Sequence, residues 1–230
     1  MDEIRKNFHN DLESVRAEVI RLGASLTESI PRATAVLLSG DLEGADYLVQ
    51  ADDEFDGRSA ELEASCFEIL ALQAPVAADL RQIVANIKIA GELERSADLV
   101  VNICKAARRI YGHDIDPMLR GVISKMSEQA QKLFAATMEA FEESDSAKAA
   151  AIDDMDSYLD SLHRQFIQQI FESHSKSKID LQVAVQLAVV ARFYERIGDH
   201  AKNIAELIIY IVKGEDVRHA SIEHIESTLQ

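Results

Sequence analysis

Residues 192 to 204 read RFYERIGDHAKNI, and a related stretch, GELERSADLVVNI, stands 101 positions earlier at residues 91 to 103. Glu94, Arg95, Asp98, Asn102 and Ile103 thus recur as Glu195, Arg196, Asp199, Asn203 and Ile204. The same offset carries Asp79-Leu80 onto Asp180-Leu181 and the dipeptide Asp52-Asp53 onto Asp153-Asp154. Three matches at one spacing make the chain two copies of one unit of about a hundred residues. That reading decides the fold, because whatever one copy builds the other builds again.

Three prolines and nine glycines in 230 residues, with little β-type alternation, predict an all-α protein. Punctuation sorts the chain into six long helices. The first runs from about Ile4 to Leu38, where Leu12, Val15, Val19, Leu22 and Leu26 keep a three-to-four spacing, and Ser39-Gly40-Asp41 ends it. The second covers about Leu42 to Leu72 and stops before Pro75; the third covers about Val76 to Tyr111. Gly112 to Pro117 breaks the pattern, which divides the chain into 1–112 and 113–230. The second half repeats the plan with helices at about Met118 to Glu143, Ala147 to Ser173 and Ile179 to Lys213, followed by a polar tail after Gly214. Short connections make neighbouring helices antiparallel, so each half is expected to be a three-helix bundle, with the halves related by a pseudo-twofold axis in an elongated molecule.

Composition narrows the function. Apolar residues at 47% and charged residues at 28% describe a globular chain without a membrane-spanning run. The amino terminus lacks a signal-like apolar segment, so the cytoplasm is the expected compartment, with Cys66 and Cys104 as reduced, buried thiols. A net charge of −16 repels phosphate backbones and argues against nucleic acid as a partner; basic protein surfaces and cations fit better.

The candidate site is carboxylic. Wound at about 100° per residue, the third helix places Glu94 and Asp98 on the continuation of a stripe drawn through Leu80, Ile83, Val84 and Ile87. In the last helix Glu195 and Asp199 continue a stripe through Leu181, Ala184, Val185 and Ala188. Acids on an inward stripe require a cation, a proton or an arginine. Folding the second helix back around Gln73 brings Asp52 level with Glu94 and Asp56 one turn away; folding the fifth around His174 brings Asp153 opposite Glu195. Asp53, Asp154, Asp156 and Asp160 are expected on the surface. The metal candidates are therefore Asp52, Asp56, Glu94, Asp98, Asp153, Glu195 and Asp199. Oxygen ligands suit hard cations such as magnesium, and carboxylates on helical bundles also hold iron or manganese. Arg95 and Arg196 could instead neutralise the acids as ion pairs. Asn102 and Asn203 are read equally as interhelical hydrogen-bonding residues or as ligands. His200, about 100° round the helix from Asp199, is unassigned. No nucleophile or general base stands out, and no Glu-x-x-His pair supports oxidase chemistry; a metal-dependent enzyme and a purely structural bundle are the rivals to a regulator.

The duplicated motif, RFYERIGDHAKNIAE with ELERSADLVVNI, each following an Asp-Leu, resembles the signature of the PhoU family of phosphate-transport accessory proteins. The resemblance implies two three-helix bundles, a cytoplasmic and often homodimeric protein, and metal clusters on a Glu/Asp-x-x-x-Asp motif in each bundle, with iron, zinc, manganese or magnesium as candidates. It also implies repression of the phosphate-starvation response through a phosphate ABC transporter ATPase and a sensor histidine kinase, reaching the membrane only through those partners and without enzymatic activity. Glu94 with Asp98, Glu195 with Asp199, and Asp52 with Asp56 match the family pattern. Asp153 has Ser157 where Asp52 has Asp56, so the second site is expected to be the poorer one.

Overall fold

A computed structural model describes residues 2–214, with side chains from residue 8 onward. The tail read after Gly214 lies outside the described residues. Helices α1 (Asp2–Ser39), α2 (Leu42–Gln73), α3 (Ala77–Arg109), α4 (Pro117–Glu143), α5 (Ser146–Ala150), α6 (Ile152–Ser175) and α7 (Leu181–Lys213) account for it, and no strand occurs among the described residues. The boundaries follow local chemistry. Asp41 caps α2 by accepting from the Gly44 amide at 2.9 Å, and Asp180 caps α7 by accepting from Val183 at 2.9 Å. Asp116 caps α4, whose first residue is Pro117, so the proline's missing N–H is one that no helical partner would have used. The expected fifth helix is split into α5 and α6. At the break the Ala151 amide donates to both Ala147 and Lys148 carbonyls at 3.2 Å, a tightened turn.

The halves form the two expected three-helix bundles, α1–α2–α3 and α4–α6–α7, and the bundles are fused along one face. α3 and α7 make the most extensive helix contact in the molecule, α1 packs on both α3 and α4, and one continuous apolar core runs through both halves. α2 flanks this centre beside α3, and α6 flanks it beside α7. Inside, the Tyr194 hydroxyl meets Thr34 Oγ1 at 2.6 Å, and Thr34 donates to Ser127 Oγ at 2.7 Å, so α1, α4 and α7 share one buried hydroxyl chain. Contacts between α3 and α7 run in reverse order: Glu92 meets His200, and Arg109 meets Gln182 and Gln186. The helices are therefore antiparallel, and combining that pairing with the 101-residue offset puts the pseudo-twofold axis beside the fully buried Ser96 and Ile197. Cys66 and Cys104 are buried free thiols, each pushed up to about 11 by burial. Among the described residues no helix is long and apolar enough to cross a membrane.

Candidate functional site

The α2/α3 and α6/α7 hairpins each form a groove along the outer side of the central pair. The core stripes are rotated from those drawn on the sequence. In α3 the buried positions are Ile83, Asn86, Ala90, Leu93, Ala97 and Val100, while Leu80 is exposed. In α7 they are Val183, Leu187, Val190, Tyr194, Ile197 and Ala201, while Leu181 and Val185 are exposed. Glu94, Asp98 and Asp199 consequently stand at the exposed rim of the grooves, with Glu195 half-buried, instead of inside the bundle.

The first groove gathers the four acids expected of it. Burial and the charges of Asp56 and Asp98 push the half-buried Asp52 carboxyl up to about 6. Burial, then Asp98, raises Asp56; burial, then Asp56 and Asp98, raises Glu94. Asp56 and Asp98 bear on both Asp52 and Glu94, which ties the two sides of the groove together electrostatically.

The second groove gathers a different set from the one predicted. Asp153 is exposed and pairs with Lys202. Its place is taken by Asp156, which is only 7% exposed, and by Asp160. Burial, with Asp160 and Asp199, pushes Asp156 up to about 6, and burial with Asp199 raises Glu195 against the opposing pull of Arg192. Asp156 and Asp160 follow Asp52 and Asp56 at an offset of 104, whereas Glu195 and Asp199 follow Glu94 and Asp98 at 101. The second hairpin is three residues shorter, close to one helical turn, and the Asp-Asp match at 153–154 is incidental. The second site is therefore not poor in acids; it has all four. His163 adjoins it, its imidazole pushed down by burial and by Arg192.

Close packing makes room for Asp156. A Cβ on Gly198 would lie 2.5 Å from Asp156 Oδ1 and 2.8 Å from Leu159 Cδ2, and that Oδ1 is buried without a hydrogen-bond partner. Gly198→Ala is expected to cost about 1–3 kcal/mol in thermal melts, because α6 and α7 must part. Gly121→Ala, exposed and with nothing within 4 Å, is expected to gain about 0.5–1 kcal/mol from helix propensity.

Between the grooves lies a polar clasp that the sequence reading left unassigned. His200 Nδ1 meets Glu92 Oε2 at 2.6 Å, Asn203 Nδ2 donates to the same oxygen at 3.2 Å, and Arg95 Nη2 holds Glu92 Oε1 at 2.5 Å. Arg95 pairs with Glu92 while its charge also draws on Glu94, and Arg192 pairs with Glu195. Burial works against the Glu92 charge, yet its hydrogen bonds to His200 and Asn203 hold the carboxyl below the usual range. The pseudo-twofold mates of Glu92 and His200 are Phe193 and Leu99, so the clasp exists on one side of the axis only. Periodicity could have flagged it: His200 is a polar residue at a core-facing turn, which requires a partner.

Among the described residues, no three histidine, cysteine, aspartate or glutamate side chains stand close enough to hold one ion. The donor sets nonetheless have the character of hard-cation ligands, four carboxylates per groove, with Asp156 Oδ1 of the second buried and unpaired.

A duplicated, all-helical protein carrying matching carboxylate grooves is the class these features define. Comparison with known proteins makes it specific: the PhoU domain model matches residues 19–107 and again 123–208. The chain belongs to the PhoU family. It is 29% identical to the phosphate-specific transport system accessory protein PhoU of Serratia marcescens, over 98% of this chain and 93% of that protein. It is 31% identical to the PhoU homolog 2 of Mycobacterium tuberculosis, over 92% of this chain and 99% of that one. The crystal structure of PhoU from Pseudomonas aeruginosa superposes with a TM-score of 0.85 at 26% identity, covering 90% of this chain and all of the other. That of the phosphate transport system regulatory protein PhoU from Streptococcus pneumoniae does so at 0.83 and 24%, covering 90% and 98%.

Proposed function

We propose that this protein represses phosphate uptake and the phosphate-starvation response in the cytoplasm. It acts by binding, as a homodimer, the ATPase of a phosphate ABC transporter and the sensor histidine kinase beside it. Membership of the PhoU family along nearly the whole chain carries this reading, since the matched relatives are named as phosphate-transport accessory proteins. It has no reaction of its own in this role. The clusters hold metal ions: Asp52, Asp56, Glu94 and Asp98 in the first groove, Asp156, Asp160, Glu195 and Asp199 in the second. A bound cation supplies positive charge that relieves the repulsion within each cluster and fixes the hairpins.

Deletion of the gene is expected to leave phosphate-starvation genes active in phosphate-rich medium, and low-salt pulldown is expected to recover the transporter ATPase or the kinase. Unchanged expression together with no phosphate-system protein recovered would sink the reading. Metal binding is tested separately. Asp98→Ala and Asp199→Ala are expected to hold or gain stability without metal and to lose part of the metal-induced rise in melting temperature with divalent cation or iron present. An equal drop in both conditions would make the clusters ion-paired structure only.

A further inference from the structure

The two grooves match in their carboxylates and differ in what stands one turn beyond them. On α6, Asp156, Asp160 and His163 are spaced i, i+4 and i+7, which puts all three within about 60° of one another around the helix. Asp160 and His163 are both half-buried, and the imidazole lies close enough to Asp160 to feel its charge. The hairpin brings Glu195 to the same place: Gly198 packs on Asp156 and Leu159, so Glu195, one turn back along α7, stands between the levels of Asp160 and His163. In the first groove the 104-residue offset puts Ser59 where α6 has His163, and Ser59 is buried with its hydroxyl turned to the Ala90 carbonyl. The 101-residue offset puts Gly91 where α7 has Arg192, whose guanidinium lies beside His163 and pairs with Glu195. One groove therefore offers oxygen alone. The other offers oxygen, one nitrogen and a guanidinium already seated on one of its acids.

We propose that His163 is a metal ligand and divides the grooves between two kinds of ion, the first taking a hard cation such as magnesium and the second a transition ion such as zinc or iron(II). Donor type selects the occupant: carboxylate and water suit magnesium, calcium and manganese, whereas imidazole suits zinc, iron, copper and nickel. Arg192 sharpens the choice. An ion that takes Glu195 displaces this guanidinium, whose side chain is 54% exposed; an ion that gains an imidazole recovers that loss, and a hard ion does not. A packing role fits His163 less well than it fits the other histidines. His113 is held by Asp180, His174 by the Ile179 carbonyl and His200 by Glu92, while among the described residues the His163 ring makes no hydrogen bond. This rests on the reading that the clusters hold metal, and adds a ligand and a different occupant for each groove.

The full chain, stripped with chelator and dialysed free of it, is titrated with zinc against a chromophoric chelator and with magnesium by calorimetry. Wild-type protein is expected to bind one zinc ion at least about tenfold more tightly than any further one. His163→Gln is expected to lose that tight event and keep its magnesium affinity, whereas Asp56→Asn keeps the tight zinc and loses magnesium. Adding Arg192→Gln to Asp56→Asn is expected to restore magnesium binding, now in the second groove. His9→Gln, an exposed histidine on α1, controls for surface imidazoles and leaves zinc unchanged. Circular dichroism checks folding, and nitrogen NMR of the wild-type chain reads the ring without a substitution: the first equivalent of zinc is expected to shift one imidazole of the seven. Unchanged zinc affinity in His163→Gln, an equal loss in His9→Gln, or zinc that shifts no imidazole overturns the proposal and leaves the metal clusters standing. Failure of the wild-type chain to bind either ion defeats the reading that the clusters hold metal, and this inference with it.

Discussion

Without metal, Asp156→Asn is expected to melt above the wild type at pH 7.5 and level with it at about pH 3.5. The Asp156 carboxyl is pushed up to about 6 by burial and by Asp160 and Asp199, from an ordinary 3.8. A folded-state value above the unfolded one means that folding favours the protonated acid. Its penalty is absent below about 3.8 and fully present above about 6, so stability falls as pH rises through that window. The full shift corresponds to about 3 kcal/mol, which solvent screening reduces to about 1–2 kcal/mol. The asparagine keeps the shape and removes the penalty. With a divalent cation added, the order is expected to reverse at neutral pH, because the variant lacks a ligand. Melting curves at both pH values, with chelator and with cation, check it; a variant less stable than wild type at pH 7.5 under chelator would show that Asp156 is held by a favourable contact.

The second large effect is expected at the clasp. Glu92→Leu strips His200 Nδ1 of its partner in a ring whose Nε2 is already buried and unpaired, at an expected cost of about 2–4 kcal/mol. Glu92→Phe with His200→Leu copies the residues that stand across the axis, Phe193 and Leu99, and is expected to recover at least about 1 kcal/mol relative to the sum of the single changes. Additive losses in a double-mutant cycle would show that the contact contributes nothing as a pair. The pH sign is opposite to that of the clusters: Glu92 lies below its usual range, so its contribution is present above about 4.5 and is lost as pH falls below that. Metal-free protein is thus expected to be most stable at mildly acidic pH.

Much of this was legible in the sequence, and each error has its own physical cause. Helix existence and boundaries came from punctuation such as Gly40-Asp41, Asp116-Pro117 and Gly214, whose local chemistry acts without tertiary context. In the first hairpin Asp52 and Asp56 face Glu94 and Asp98 across α2 and α3 as read, though at the rim, because the hairpin turns close to where Pro75 requires. The second was misplaced because losing three residues from a hairpin is nearly one helical turn. Such a slip turns each face by only about 60°, too little for hydrophobic periodicity to detect, and Asp153 took the place of Asp156. The stripes in α3 and α7 were misjudged for another reason. Each helix has apolar residues on its solvent side at the groove ends, Leu80, Leu181 and Val185, which periodicity counts as core. The clasp escaped because it joins residues 108 positions apart on one side of the axis only, where the repeat gives no second copy to compare.

The antiparallel union of α3 and α7 also bears on how the chain comes to be folded. The side of α3 that carries Glu92 and Ser96 packs on α7, a helix translated about a hundred residues later. Until α7 leaves the ribosome, the first half has a greasy flank and nothing to close over it. Such long-range closure slows the last step of folding and leaves nascent or truncated chains prone to aggregation. A fragment ending near Gly112 is accordingly expected to be insoluble or to pair with itself through α3, regenerating from two molecules the joint that the duplication made within one.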